Sequence, residues 1–224
     1  TEQKSLGPVA YWKFDEGYGN SANDSSPNAN TGVITGTTWK PESDCISGKC
    51  LYFDGSGDYV QKSDGANSVL DLTNGVTVSV WTKQNGTIDA TTQRTLVAKP
   101  SSYQLHISYG QLRFTVDNTG GSGCNTTYCQ AMSGTLLQPN RWYHLVGTFD
   151  GSTIKVYVDG ELKAQQGWNY AMNTNNNALN IGDNYWGAAN GFIDEPKIYN
   201  YVRSASQIKS DFASKGSGSV KGTS

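Results

Sequence analysis

The chain has 224 residues, with 26 glycines, 13 tyrosines and 6 tryptophans but only 2 methionines, a mix that favours short strands and many turns over helices. Lys and Arg number 17 and Asp and Glu 19, a net charge of −2 with no block of like charge, which excludes a basic face for nucleic acid. No run reaches the about 18 apolar residues of a membrane-spanning helix, so direct membrane insertion is not expected.

The apolar signal has period 2 along most of the chain. Ala10, Trp12 and Phe14 alternate with Tyr11 and Lys13, which predicts a first strand with an aromatic inner face. Leu51 to Phe53 and Asp58 to Gln61 read as two strands around a turn. Val76 to Lys83, apolar on both faces, reads as a central strand. Strands follow at Thr95 to Lys99, Tyr103 to Tyr109 and Gln111 to Asp117. Trp142–Phe149, Thr153–Val158 and Glu161–Gln165 form a meander, separated by Asp150-Gly151 and Asp159-Gly160, where both turn positions need positive φ. Leu179 to Asp183 and Gly191 to Tyr199 complete the strands. Ser204 with Gln207 three residues on predicts a capping box that opens one short helix, with Ile208 and Phe212 on a common face. Residues 1–8 read as a lead-in and 9–214 as one domain. Residues 215–224 have nothing apolar to bury and read as a flexible tail. The polar start, Thr1 to Ser5, is not a signal peptide, and the chain reads as a mature or excised piece.

Four cysteines fall in two pairs of identical spacing, Cys45 with Cys50 and Cys124 with Cys129, each in a Gly/Ser/Asn/Thr-rich loop. Two local disulfides and an oxidising compartment are the expectation; a single four-thiolate zinc site is the alternative.

Seven motifs in order carry a resemblance. The first two are AYWKFDEG (Ala10–Gly17) and the loop Asp24-Ser25-Ser26-Pro27-Asn28-Ala29-Asn30-Thr31-Gly32. LYFDGSGDYV (Leu51–Val60), TVSVWTK (Thr77–Lys83), RWYHLVGTFDGSTIKVYVDGEL (Arg141–Leu162), LNIGDN (Leu179–Asn184) and GFIDEPKIYNYVRSASQI (Gly191–Ile208) follow. The series resembles the laminin-G-like domains of the concanavalin A-like lectin/glucanase superfamily, and it spans residues 9 to 212. Pro27 stands where relatives usually carry Gly, so that turn must differ. The resemblance implies an all-β fold, a two-sheet antiparallel jelly-roll sandwich whose first and last strands lie side by side.

Catalytic machinery is not legible. Asp15-Glu16 and Asp194-Glu195 are adjacent pairs, whose side chains on a strand point to opposite faces, and Asp54 and Asp58 flank a turn, whereas a glycosidase needs carboxylates that converge. His106 and His144 alternate with apolar neighbours and read as structural. Calcium is the more credible chemistry, because the loop from Asp24 to Gly32 is dense in oxygen donors. The resemblance implies a structural Ca²⁺ held by Asp24, Asn28, Asn30, a carbonyl near Gly32, and Asp194; the alternative is an Asx-rich turn that caps itself. For a sugar, two loop stretches, one with Trp168 and Tyr170 and one with Tyr185 and Trp186, offer ring faces beside amides, and Tyr128 in the second cysteine loop is a third candidate. The expected function is a non-catalytic carbohydrate-recognition or adhesion module at the cell surface or outside the cell, binding a polysaccharide or glycan, or a surface protein. The alternatives are a structural or protein–protein interaction domain of a pilus or envelope protein, and a glucanase or polysaccharide lyase of the same fold.

Overall fold

A computed structural model describes residues 7–66, 68–73, 75–118, 128–183 and 187–216. The early strands are β1 (Ala10–Tyr11), β2 (Ser21–Ala22), β3 (Gly32–Thr35), β4 (Thr38–Lys40), β5 (Cys50–Asp54) and β6 (Tyr59–Lys62). The middle of the chain gives β7 (Val76–Gln84), β8 (Gln93–Lys99), β9 (Tyr103–Ser108), β10 (Gln111–Asp117) and β11 (Tyr128–Leu136). β12 (Trp142–Phe149), β13 (Thr153–Val158), β14 (Glu161–Gly167), β15 (Leu179–Ile181) and β16 (Asn190–Tyr199) follow, and α1 (Ala205–Gly216) comes last.

Two antiparallel sheets form the sandwich. The first runs β14-β13-β12-β7-β16-β5-β4, with β1 also paired to β16; the second runs β11-β10-β9-β8-β15-β6-β3-β2. Val78 and Val80 of β7 lie opposite Gly147 and Leu145 of β12, and these valines and the leucine are buried in the core. Gly147 is there for space: a Cβ would lie 2.2 Å from the Phe114 ring, which reaches across from the second sheet. The terminal strands are neighbours, with Ala10 opposite Ile198 and Tyr11 opposite Lys197.

The first strand is shorter than its pattern predicts. Ala10, Trp12 and Phe14 are all buried, but the regular ladder stops at Tyr11, Trp12 keeps a bridge to Asp24 and one backbone bond from its N–H to Pro196 O, and Phe14 sits at φ 58. The meander forms as expected. Asp159 and Gly160 both take positive φ, at 52 and 80, whereas only Gly151 does so in the other turn. There the Asp150 carboxylate instead accepts the N–H groups of Ser152 and Thr153. The capping box is present: Gln207 N donates to Ser204 Oγ at 3.2 Å and Ser204 N to Gln207 Oε1 at 2.9 Å.

The outer faces of the two sheets are treated differently. α1 lies on the first: the Phe212 ring stacks 5.7 Å from Trp81, and Ile208 packs with Val146 and Tyr157. His144 is enclosed beside Trp81, and burial pushes it down to about 3, so it stays neutral. Among the described elements, no helix covers the second sheet's outer face.

Candidate functional site

Trp168 corrects the sequence expectation of a ring open to ligand. It is 3% exposed and belongs to the core cluster with Met172. Its backbone N–H donates to Ser152 O, which turns the chain inward after β14 so that the indole closes the end of the sandwich. Tyr170 packs against it at 4.9 Å and is 36% exposed. Tyr185 and Trp186 lie outside the described residues.

The expected calcium ligands do not fit one coordination sphere. Both Asp24 oxygens are already taken: Oδ1 accepts from Tyr11 N and Ser26 N, and Oδ2 from Ser26 Oγ, Asn30 N and Asn30 Nδ2. Burial would raise this carboxyl, but those donors outweigh it and hold it below the usual range. Asn28 and Asn30 direct their amide nitrogens to Val9 O, and Asn30 O accepts the Trp12 indole N–H. Gly32 begins β3 and lies opposite Ala22. These contacts are those of the self-capped turn, in which hydrogen bonds pin the first strand.

Asp194 has other partners. Its Oδ2 accepts the N–H groups of Ile46 and Ser47, each at 3.1 Å, in the loop closed by the Cys45–Cys50 disulfide. Burial, then the neighbouring Glu195 and Asp15 charges, push its carboxyl up to about 8, so at neutral pH it is held as the acid. The expectation that Asp194 and Glu195 point apart fails because the register shifts between Asp194 and Lys197, with Glu195 at φ 54. Both are buried, and Glu195 Oε2 accepts the Tyr11 hydroxyl at 2.6 Å. Cys129 is also disulfide-bonded, which removes the thiolates a zinc site would need; Cys124 lies outside the described residues.

One buried cation is enclosed by oxygens. The Lys99 ammonium pairs with Asp64, lies 3.4 Å from Asp71, and donates to Asn175 O at 2.8 Å and Asn177 O at 3.2 Å. It ties together the loops that follow β6, β8 and the segment before β15. Beside it, Ser68, Asp71, Thr174 and Asn175 line an open cavity of about 450 Å³.

The second sheet's outer face carries a polar band that the sequence pattern did not suggest. Val60, Ile181, Val97, Leu105, Phe114 and Ala131 fill the core, so residues alternating with them face outward. Cross-strand register then sets Gln61, Asn180, Ala98, Gln104, Thr115 and Gln130 in one row. Six adjacent strands make the row roughly 24 Å long at ordinary strand spacing. Gln61 Nε2 donates to Asn180 Oδ1 at 3.0 Å, and with Tyr59 and Asp183 this pair lines an open pocket of about 340 Å³. Within the row Ala98, Gln104 and Thr115 are buried, and Gln61, Asn180 and Gln130 are half-buried.

A parallel row sets Thr95, His106, Arg113 and Met132 side by side. His106 Nε2 shares a hydrogen bond of 3.3 Å with Thr115 Oγ1; burial, then the Arg113 charge, push it down to about 3, and the imidazole is neutral. Asp117, accepting from Gln104 Nε2 at 3.2 Å, is pushed up to about 6 by burial. Oγ1 of Thr95, Oγ of Ser108 and Oε1 of Gln93 and of Gln130 are buried without a partner, an unusual concentration of unused hydrogen-bonding capacity on one face. A signal existed in the sequence. Along β9 and β10 the outward positions are amides, hydroxyls, an imidazole, a guanidinium and the single carboxylate of Asp117, where an ordinary solvated face would carry several Lys and Glu.

A jelly roll with one face capped and the other lined by amides and hydroxyls is a lectin-type sandwich. The chain belongs to the concanavalin A-like lectin/glucanases superfamily, whose laminin-G type matches residues 54–209. No curated protein matches it in sequence. Among solved structures it is similar to the binding domain of Paraclostridial Mosquitocidal Protein 1, with TM-score 0.74 and 14% identity over 93% of this chain and 52% of that one. It is also similar to domain 4 of AbnA, a GH43 extracellular arabinanase from Geobacillus stearothermophilus solved with arabinotriose, with TM-score 0.68 and 24% identity over 92% of this chain and 98% of that one. The ligand-binding domain of botulinum neurotoxin serotype D, solved with N-acetylneuraminic acid, gives TM-score 0.69 and 17% identity over 93% and 51%. The chain thus spans about half the length of the two toxin domains.

Proposed function

We propose that the chain is a non-catalytic carbohydrate-recognition module, acting outside the cell or at its surface, and that the outer face of the second sheet is its ligand surface. The observation that carries this is the row Gln61, Asn180, Gln104, Thr115 and Gln130. Amides and hydroxyls fixed on rigid strands match the paired donors and acceptors of sugar hydroxyls, and Tyr59 adds an aromatic wall at the open pocket. A site on strands holds such groups in place better than one on loops. Further support comes from the arabinanase domain, which is covered almost from end to end and was solved with an oligosaccharide. The Cys45–Cys50 disulfide favours an oxidising location.

The binding-only reading rests on the arrangement of acids. On this face Asp117 stands beside Gln104, and Asp183 lies at the far end of the row, in the Tyr59 pocket. That is unlike the converging carboxylates of glycoside hydrolysis. The test is calorimetric titration with a panel of neutral and acidic oligosaccharides, arabinotriose included. Binding by the wild type and its loss in Gln61→Ala/Asn180→Ala, at unchanged melting temperature, is the expected result. Binding that survives this double substitution and also Gln104→Ala would move the site elsewhere.

A further inference from the structure

Arg113 is a buried guanidinium with no anion. It stands on β10 in the outward row, between His106 and Met132, and is 7% exposed. One terminal nitrogen lies 3.3 Å from Met132 Sδ, the guanidinium carbon is 5.2 Å from the Tyr109 ring centre, and Nε has no hydrogen-bond partner. Among the described residues, ion pairs join Lys99, Arg141, Lys163, Lys197, Arg203 and Lys215 to carboxylates, and Arg113 is not one of them. Of the residues outside the described set, only Glu2 is acidic.

Arg94 shows how this fold treats an arginine whose role is structural. It too is buried without a carboxylate, but its guanidinium is engaged by Gln84 Oε1, Asn85 O and Asn190 O. Arg113 has the Met132 thioether and Tyr109, whose ring and hydroxyl both engage the guanidinium, in place of those carbonyl and amide oxygens, and no carboxylate. An uncompensated buried charge is costly to the folded state, and the cost is relieved when an anion arrives. Neutral His106 brings no second charge, while Thr95 and Ser108 keep unpartnered hydroxyls on the same face. Tyr109, whose ring lies 5.2 Å from the guanidinium carbon, is 49% exposed, so the guanidinium sits just beneath a surface side chain.

We propose that Arg113 is an anion-recognition point within the polar band, so that the glycan taken by this face carries carboxylate groups. The planar guanidinium offers a forked pair of donors to a sugar carboxylate, as it does to a protein one, while the Gln104–Gln130 row reads the neighbouring hydroxyls. The inference rests on the carbohydrate-binding reading and goes beyond it in naming the ligand's charge.

The experiment titrates the whole chain with oligogalacturonate, its methyl ester, a sialyl-oligosaccharide and neutral arabino-oligosaccharides, for wild type, Arg113→Gln and Arg113→Lys. At least one carboxylated glycan should bind, with affinity that falls as salt is added. Arg113→Gln should weaken it at least tenfold, with Arg113→Lys intermediate, while Arg113→Gln, freed of an unpaired buried charge, should melt no lower than wild type. Should Arg113→Gln fail to fold, the ester carries the test on the wild-type protein: oligogalacturonate should bind and its methyl ester should not. Binding of neutral oligosaccharides alone overturns the proposal and leaves the carbohydrate reading standing. Binding of no glycan overturns both. Carboxylated ligands held equally by wild type and a folded Arg113→Gln also overturn it.

Discussion

Ser47 donates its backbone N–H to Oδ2 of Asp194 at 3.1 Å, across 147 positions of sequence. The contact fastens the small disulfide loop to the last strand at the point where that strand bulges. Ile46 N donates to the same oxygen, and Lys215 of α1 donates to Ser47 Oγ at 2.5 Å, so the disulfide loop joins the last strand to the helix.

Stability should depend on pH through Asp194. Its carboxyl sits at about 8 in the folded chain, against about 3.9 for a free aspartate. The folded state therefore holds a proton that the unfolded state releases. The contribution is fully present below the unfolded value and is lost as pH rises through about 8. Asp117, at about 6, adds to the same trend over a lower window. Asp24, Asp64 and Glu195 are held low and act oppositely, losing their contribution as pH falls. Urea unfolding from pH 5 to 9 should show declining stability in wild type and a flatter profile in Asp194→Asn. Equal slopes would mean that Asp194 is ionised in the folded chain.

Reducing the Cys45–Cys50 bridge should cost about 2 kcal/mol, the loop-closure worth of so short a ring. The sheets do not pass through it, so far-ultraviolet circular dichroism should keep its strand signature while the melting temperature drops. Complete loss of structure on reduction would assign the bridge a larger part in folding.

Trp168→Ala should behave as a core truncation and destabilise the chain by about 3–5 kcal/mol. Glycan affinity measured well below the lowered melting temperature should hardly change. Lost binding in a variant of unchanged stability would restore the ring to the ligand surface.

Asp24 should matter without any metal. Removing the acceptor of five donors in Asp24→Ala should cost about 1–3 kcal/mol, the penalty for leaving buried N–H groups unpaired. Wild-type melting curves in chelator and in millimolar calcium should coincide. A rise of several degrees with calcium would show that an ion competes successfully with those donors.

The sequence made the sandwich legible because its strong strands alternate and its turns use residues with a single conformational job. Asp159-Gly160 and Ser204 with Gln207 are read from local physics and fold as read. β2, β3, β4 and β11 were not legible: they are short or rich in Gly, Ser and Thr, and only pairing with neighbours makes them strands. The candidate site was least legible of all. Gln61, Asn180, Gln104, Thr115 and Gln130 come from five separate strands, and only cross-strand register places them in a row. Trp168 misled for the converse reason, since a large ring in a loop reads as exposed until the chain around it is seen to turn inward.

The oxygen cage around Lys99 has a consequence for how these loops respond to their surroundings. Two carboxylates and two carbonyls are the donor set of a divalent-ion site, but the charge within them is covalently tethered to β8. A tethered ammonium has no dissociation constant and no off-rate, so the three loops it gathers do not loosen when the medium is poor in calcium. Dilution, chelation and competing ions, all of which empty a metal site, leave this one filled for as long as the strand itself is folded.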